Sequence, residues 1–135
     1  YQSAISTYRR VAQSASGADA RAAARLGMGR MHQALGDALS GQLLAIEMLA
    51  GVLEQAAEAS PPMPQSDAYA AEADRLWNVA SDARDAMRAA YAEAKSNFET
   101  AGARGEEGDR IQQIVQEMDA RFPAEGEPAS EQAPQ

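Results

Sequence analysis

The sequence predicts an all-α fold made of antiparallel helical hairpins, with one long helix and a short C-terminal capping helix. Three observations predict it. The apolar fraction is 45% while only 5% of the chain is aromatic, and alanine supplies much of the difference. Alanine loses no side-chain entropy on entering a helix, and its small side chain lets helices approach closely in thin layers. Apolar residues recur by threes and fours from Tyr69 to Ala101, with no Gly or Pro between. Finally, Leu35-Gly36-Asp37 interrupts an apolar stretch that carries Gly29 on one side and Gly41 on the other. Two helices that cross closely need such small residues, so Arg21 to Leu49 reads as a tight helix–turn–helix hairpin.

In chain order, Tyr1 to about Gln13 is helical, with Tyr1, Ala4, Tyr8 and Val11 on one face. Ser14 to Gly17 breaks it, because serine competes for backbone hydrogen bonds and glycine is permissive. Asp19 suits the first turn of the next helix, where a carboxylate meets the positive end of the helix dipole. That helix is expected to end near Leu35 and a third to run from about Ala38 to Glu58, with a seam of Leu39, Leu43, Ile46, Ala50, Leu53 and Ala57. Pro61, Pro62 and Pro64 then remove donors and hold a stiff extended connector. Ser66-Asp67 begins the long helix, 67 to 101. Its seam is Tyr69, Ala73, Leu76, Ala80, Ala83, Met87, Ala90, Ala94, Phe98 and Ala101. Gly102, Gly105 and Gly108 form a connector. Asp109 to Phe122 is a short helix with Ile111, Ile114, Val115, Met118 and Phe122 on one side, ended by Pro123. The residues to 122 make one domain. Those from 123 to 135 carry three Glu and no large apolar side chain, so they make an acidic tail unable to bury enough surface to order itself.

Gly29, the Leu35-Gly36-Asp37 turn, Gly41, Ala45 and the apolar pair Met48-Leu49 stand in the order of a tetratricopeptide repeat, and the hairpin resembles one. Arg25 and His32 depart from the pattern, where large apolar residues are usual. Ala4 and Tyr8 stand to Gly41 and Ala45 at a period of 37 residues, a little above the usual ~34. That longer period resembles the bacterial cell-envelope repeat proteins of the TolA-binding division-coordinator type, over roughly residues 1 to 57. The resemblance implies a superhelix fragment at the C-terminal end of a larger bacterial protein, leaning towards a periplasmic or cell-envelope location. Tyr1 lies inside a helical pattern, which fits an excised piece.

The charge is −8 overall and unevenly placed, with +1 over residues 1–57 and −9 over 58–135. An acidic half repels phosphate backbones, so nucleic acid is not the expected partner. The chain contains no unbroken run of ~18 apolar residues, so no membrane span is expected. It has no cysteine, which excludes disulfides, thiolate metal sites and a cysteine nucleophile. His32 is the one histidine, and its helical neighbours Met28, Gly29, Leu35 and Gly36 are not ligands. It reads as a structural histidine, and no catalytic triad is legible around it. Glu106, Glu107 and Asp109 are too few and too closely spaced for a calcium loop, and suit a helix start instead. Trp77 flanks the long seam and reads as core.

The expected function is therefore a non-catalytic protein–protein interaction scaffold, with no cofactor and no metal. The resemblance implies a concave face lined by Ala23, Leu26, Arg30 and Gln33, which would grip a partner protein or peptide, with Arg30 meeting a carboxylate. The alternative is a helical oligomerisation module in which helix 67–101 pairs with a copy of itself. Alanine seams pack weakly in isolated pairs, and the other helices offer faces for this one, so the isolated chain is expected to be monomeric.

Overall fold

A computed structural model describes residues 1–102 and 105–121. They form four helices: α1 Gln2–Ser14, α2 Ala18–Ala57, α3 Ser66–Ala101 and α4 Gly105–Arg121. The long α2 packs antiparallel against α3. The chain divides into two compact units, one of Tyr1–Gln33 with the chain from Tyr91 onward, the other of Ala34–Ala90. Both long helices pass through both units. Phe122, Pro123 and the acidic tail lie outside the described residues.

The turn expected at Leu35-Gly36-Asp37 does not form. Helix α2 runs through it unbroken for 40 residues. A glycine inside a helix costs only about 1 kcal/mol relative to alanine, and Ala34, Leu35, Ala38 and Leu39 around Gly36 all favour the helix. A helix-ending turn usually needs left-handed backbone at its glycine. Among the described residues that occurs at Gly102 (φ 60°), where α3 does end, and not at Gly36. The hairpin of the fold is therefore α2 with α3, joined across the proline-rich connector, and not two halves of α2. Gly41 is corrected with it: the residue is exposed, and a Cβ built there would meet nothing within 4 Å.

In the first unit, α1 docks on α2 through Ala12, Ala24 and Met28. The buried face of α1 is Ile5 and Ala12. Tyr1 and Val11, expected inside, are exposed. The face is turned because Ile5 can be buried whole, whereas a tyrosine keeps its hydroxyl towards water. Tyr8 does both, laying its ring where a Cβ on Gly27 would stand while remaining 36% exposed. Arg21 Nη1 donates to the carbonyls of Ala15 (3.1 Å) and Ser16 (3.4 Å), which fastens the α1–α2 turn.

Gly29 marks a close crossing, as expected, but its partner is α3: a Cβ there would lie 2.5 Å from the ring of Phe98. Phe98 is 2% exposed. Beside it, Ala94 of α3 and Ile111, Val115 and Met118 of α4 are buried. α4 begins four residues earlier than its apolar pattern suggests, taking in Gly105 and Gly108, with Glu106 and Glu107 in its first turn. Carboxylates there meet the positive end of the dipole, which offsets the poor helix propensity of the glycines.

In the second unit the seam reads as expected. Leu43 and Ala50 of α2 are buried, as are Ala73, Leu76, Ala80 and Met87 of α3. The Ser66 hydroxyl accepts from Met63 N–H (3.1 Å) and donates to Met63 C=O (2.8 Å), folding the end of the connector onto the start of α3.

Candidate functional site

Once the seam of α2 is packed on α3, a second set of apolar side chains is left on the other side of the same helix. Leu44, Met48, Leu49 and Val52 are 59%, 65%, 52% and 61% exposed. Leu44, Met48 and Val52 form one i, i+4, i+8 ridge, and Gly41, Ala45 and Leu49 form the ridge beside it. Gly41 and Ala45 are exposed too, so the surface is low at that end and raised towards Val52. A helix that is apolar on all sides normally has neighbours on all sides. In the second unit, α2 is covered on its seam alone.

Two polar contacts fix the rotation of α2 that creates this stripe. Arg84 of α3 pairs with Glu47, and the half-buried Trp77 donates its indole N–H to Glu54 Oε1. Glu47, Glu54 and Glu58 follow one edge of the stripe at i, i+7 and i+11. From Met31 to Asp74 the sequence contains no Lys or Arg, so the charges that α2 itself places beside the stripe are all negative, with Arg84 of α3 meeting Glu47.

The four residues expected to line a binding face lie on α2 in the first unit, spaced i, i+3, i+7 and i+10, and so share a side of the helix. Ala23 and Arg30 are exposed, and Leu26 and Gln33 are half-buried. Arg30 already meets a carboxylate of its own chain: its Nη2 lies 3.1 Å from Glu107 Oε1. Helix α4 is tied again, to α3, by Lys95 Nζ and Asp119 Oδ1 at 3.1 Å. His32 is buried. Burial disfavours its charged form and lowers its pKa from 6.5, with Arg9 acting in the same direction and Glu93 against. Nearby, Arg25 Nη1 donates to Asn97 Oδ1 (3.3 Å), and Asn97 Nδ2 donates to the Glu93 carbonyl (2.8 Å). These bonds satisfy the buried Asn97 and account for Arg25 where an apolar residue was expected.

Among the described residues no group of three or more His, Asp or Glu could hold a metal ion. A cavity of about 220 Å³ in the first unit is lined by Phe98, Gly102, Ile111 and Val115, with Glu99 and Gln112 at its polar side. It brings no nucleophile and base together.

By length and composition α2 also qualifies as a membrane-crossing helix, with an 18-residue window of mean hydropathy 1.2, of which 17% is buried. No unbroken apolar run marks it in the sequence, because glycines, glutamines and an occasional glutamate interrupt the leucines. The described chain is thus an all-α protein of antiparallel helices with one apolar helix face turned to solvent. No family model, curated protein or solved structure matches it.

Proposed function

We propose that this chain is a non-catalytic helical scaffold that binds another protein, and that the binding face is the exposed stripe of α2. The carrying observation is the exposure of Leu44, Met48, Leu49 and Val52 together on three turns of one helix. Scattered exposed apolar residues need no explanation, but a contiguous row of them marks an interaction surface. The tetratricopeptide resemblance implies the same class of work but does not carry the reading, because the leucine–glycine turn it rests on does not form within α2. The alternative, self-pairing of helix 67–101, has its seam already covered: Ala73, Leu76, Ala80, Met87, Ala94 and Phe98 are buried within the chain.

The test is site-specific photo-crosslinking in cells that express the natural protein. A benzophenone side chain at Met48 is expected to give a discrete cross-linked protein adduct, lost when Leu44 and Val52 become serine. Adducts only to lipid, or none at position 48, refute the reading.

A further inference from the structure

We propose that the α2 stripe takes one kind of occupant: an amphipathic helix of a partner protein with basic residues along its edge. The proposal rests on the protein-binding reading above and adds the chemistry of the partner. Charge is the first argument. The second unit, Ala34–Ala90, carries nine acidic and three basic side chains. Two of the three basic groups are engaged locally, Arg75 with Glu72 and Arg84 with Glu47. Glu54 and Glu58 are exposed along the stripe's edge. Complementary charge at a rim steers association and sets orientation.

Shape is the second argument. From Gly41 to Val52 the stripe runs about 16 Å at ~1.5 Å per residue, the reach of about three turns of a helix lying along it. The ridges at i and i+4 accept the ridges of another helix, and the low end at Gly41 and Ala45 receives larger side chains. A second copy of this chain fits poorly. In an antiparallel two-fold pairing each helix edge meets the same edge of its mate, so Glu54 and Glu58 of both copies would line one shared edge to which α2 brings no Lys or Arg between Met31 and Ala57. An anionic membrane surface is disfavoured by the same carboxylates, because such surfaces attract basic helices.

The experiment uses the 135-residue chain and two synthetic 18-residue amphipathic peptides with identical leucine positions, one with lysine and one with glutamate at the polar positions. Trp77, the chain's one tryptophan, reports binding from within the same unit, and calorimetry confirms it. The lysine peptide is expected to bind at micromolar concentration and weaken at least tenfold between 50 and 500 mM salt, as exposed charge pairs do. Binding is expected to fall at least tenfold in the Leu44→Ser, Met48→Ser, Val52→Ser triple variant and severalfold in Glu54→Gln, Glu58→Gln. Equal binding of the glutamate peptide overturns the basic-edge proposal but leaves a protein-docking face. Undiminished binding of the lysine peptide to the triple variant overturns the stripe as its seat. Failure of both peptides, together with sedimentation on phosphatidylglycerol vesicles that the triple variant lacks, overturns the docking reading as well. Circular dichroism of each variant separates these outcomes from misfolding.

Discussion

The same substitution, glycine to alanine, is expected to have opposite effects at two positions of α2. At Gly41 the new Cβ meets nothing within 4 Å. The helix then gains alanine's propensity, about 0.5–1 kcal/mol, with nothing against it. At Gly29 the same gain is offered, but the Cβ would stand 2.5 Å from Cε1 and 2.6 Å from Cδ1 of Phe98. Ordinary carbon contacts lie near 3.5–4.0 Å, so ring and helix must separate by about 1 Å. Phe98 is 2% exposed, with buried Ala94 on its own helix, so its ring can yield only towards the cavity it lines with Ile111 and Val115, at the expense of its present packing. Overpacking of this kind costs about 1–3 kcal/mol. The net effect of Gly29→Ala is then a loss of about 1–2 kcal/mol, and that of Gly41→Ala a gain of up to about 1 kcal/mol. Urea titrations followed by circular dichroism, with Trp77 fluorescence reporting the second unit, measure both. Adding Phe98→Leu should return part of the loss at Gly29 and do nothing at Gly41, which a double-mutant cycle resolves. A midpoint for Gly29→Ala at or above that of the parent, or one for Gly41→Ala below it, would refute the packing described here.

Other outcomes follow from single contacts. Because burial lowers the His32 pKa, the unfolded chain binds the proton that the fold resists. Stability should therefore fall as pH drops below about 6.5, and His32→Gln should flatten that slope in urea midpoints taken from pH 5 to 8. Met118→Ala should cost about 2–5 kcal/mol, since the side chain is on the buried face of α4; thermal unfolding checks this. Arg30→Ala should change stability by less than about 1 kcal/mol, because the Arg30 and Glu107 side chains are 59% and 50% exposed and such pairs are screened. The Leu44, Met48 and Val52 serine variants should each stay within about 0.5 kcal/mol of the parent, which separates their expected effect on binding from any effect on folding.

Local chemistry determined the class of fold and several of its boundaries. Period and composition placed α3 within one residue of its observed start, because 36 residues without Gly or Pro leave a helix no cheaper conformation. The prolines after Ser60 stopped α2 for an equally local reason: they lack the donor a helix needs. The inward faces of α3 and α4 were legible because a helix can bury only one set of i, i+3 and i+4 positions at a time. Glycine was the ambiguous letter. Gly29, Gly36 and Gly41 look alike in the sequence, yet one touches Phe98, one is buried within an unbroken helix, and one faces open solvent. Nothing local distinguishes a glycine that ends a helix from one that thins it, since the difference of about 1 kcal/mol is smaller than what packing against α3 supplies. The exposed stripe was hidden in a similar way. Leu43 and Leu44 are adjacent and chemically identical, and although periodicity puts Leu43 in the seam, it does not say whether a further neighbour covers Leu44. Contact with α3, held in register by Arg84 with Glu47 and Trp77 with Glu54, put Leu43 inside and left Leu44, Met48 and Val52 to the solvent.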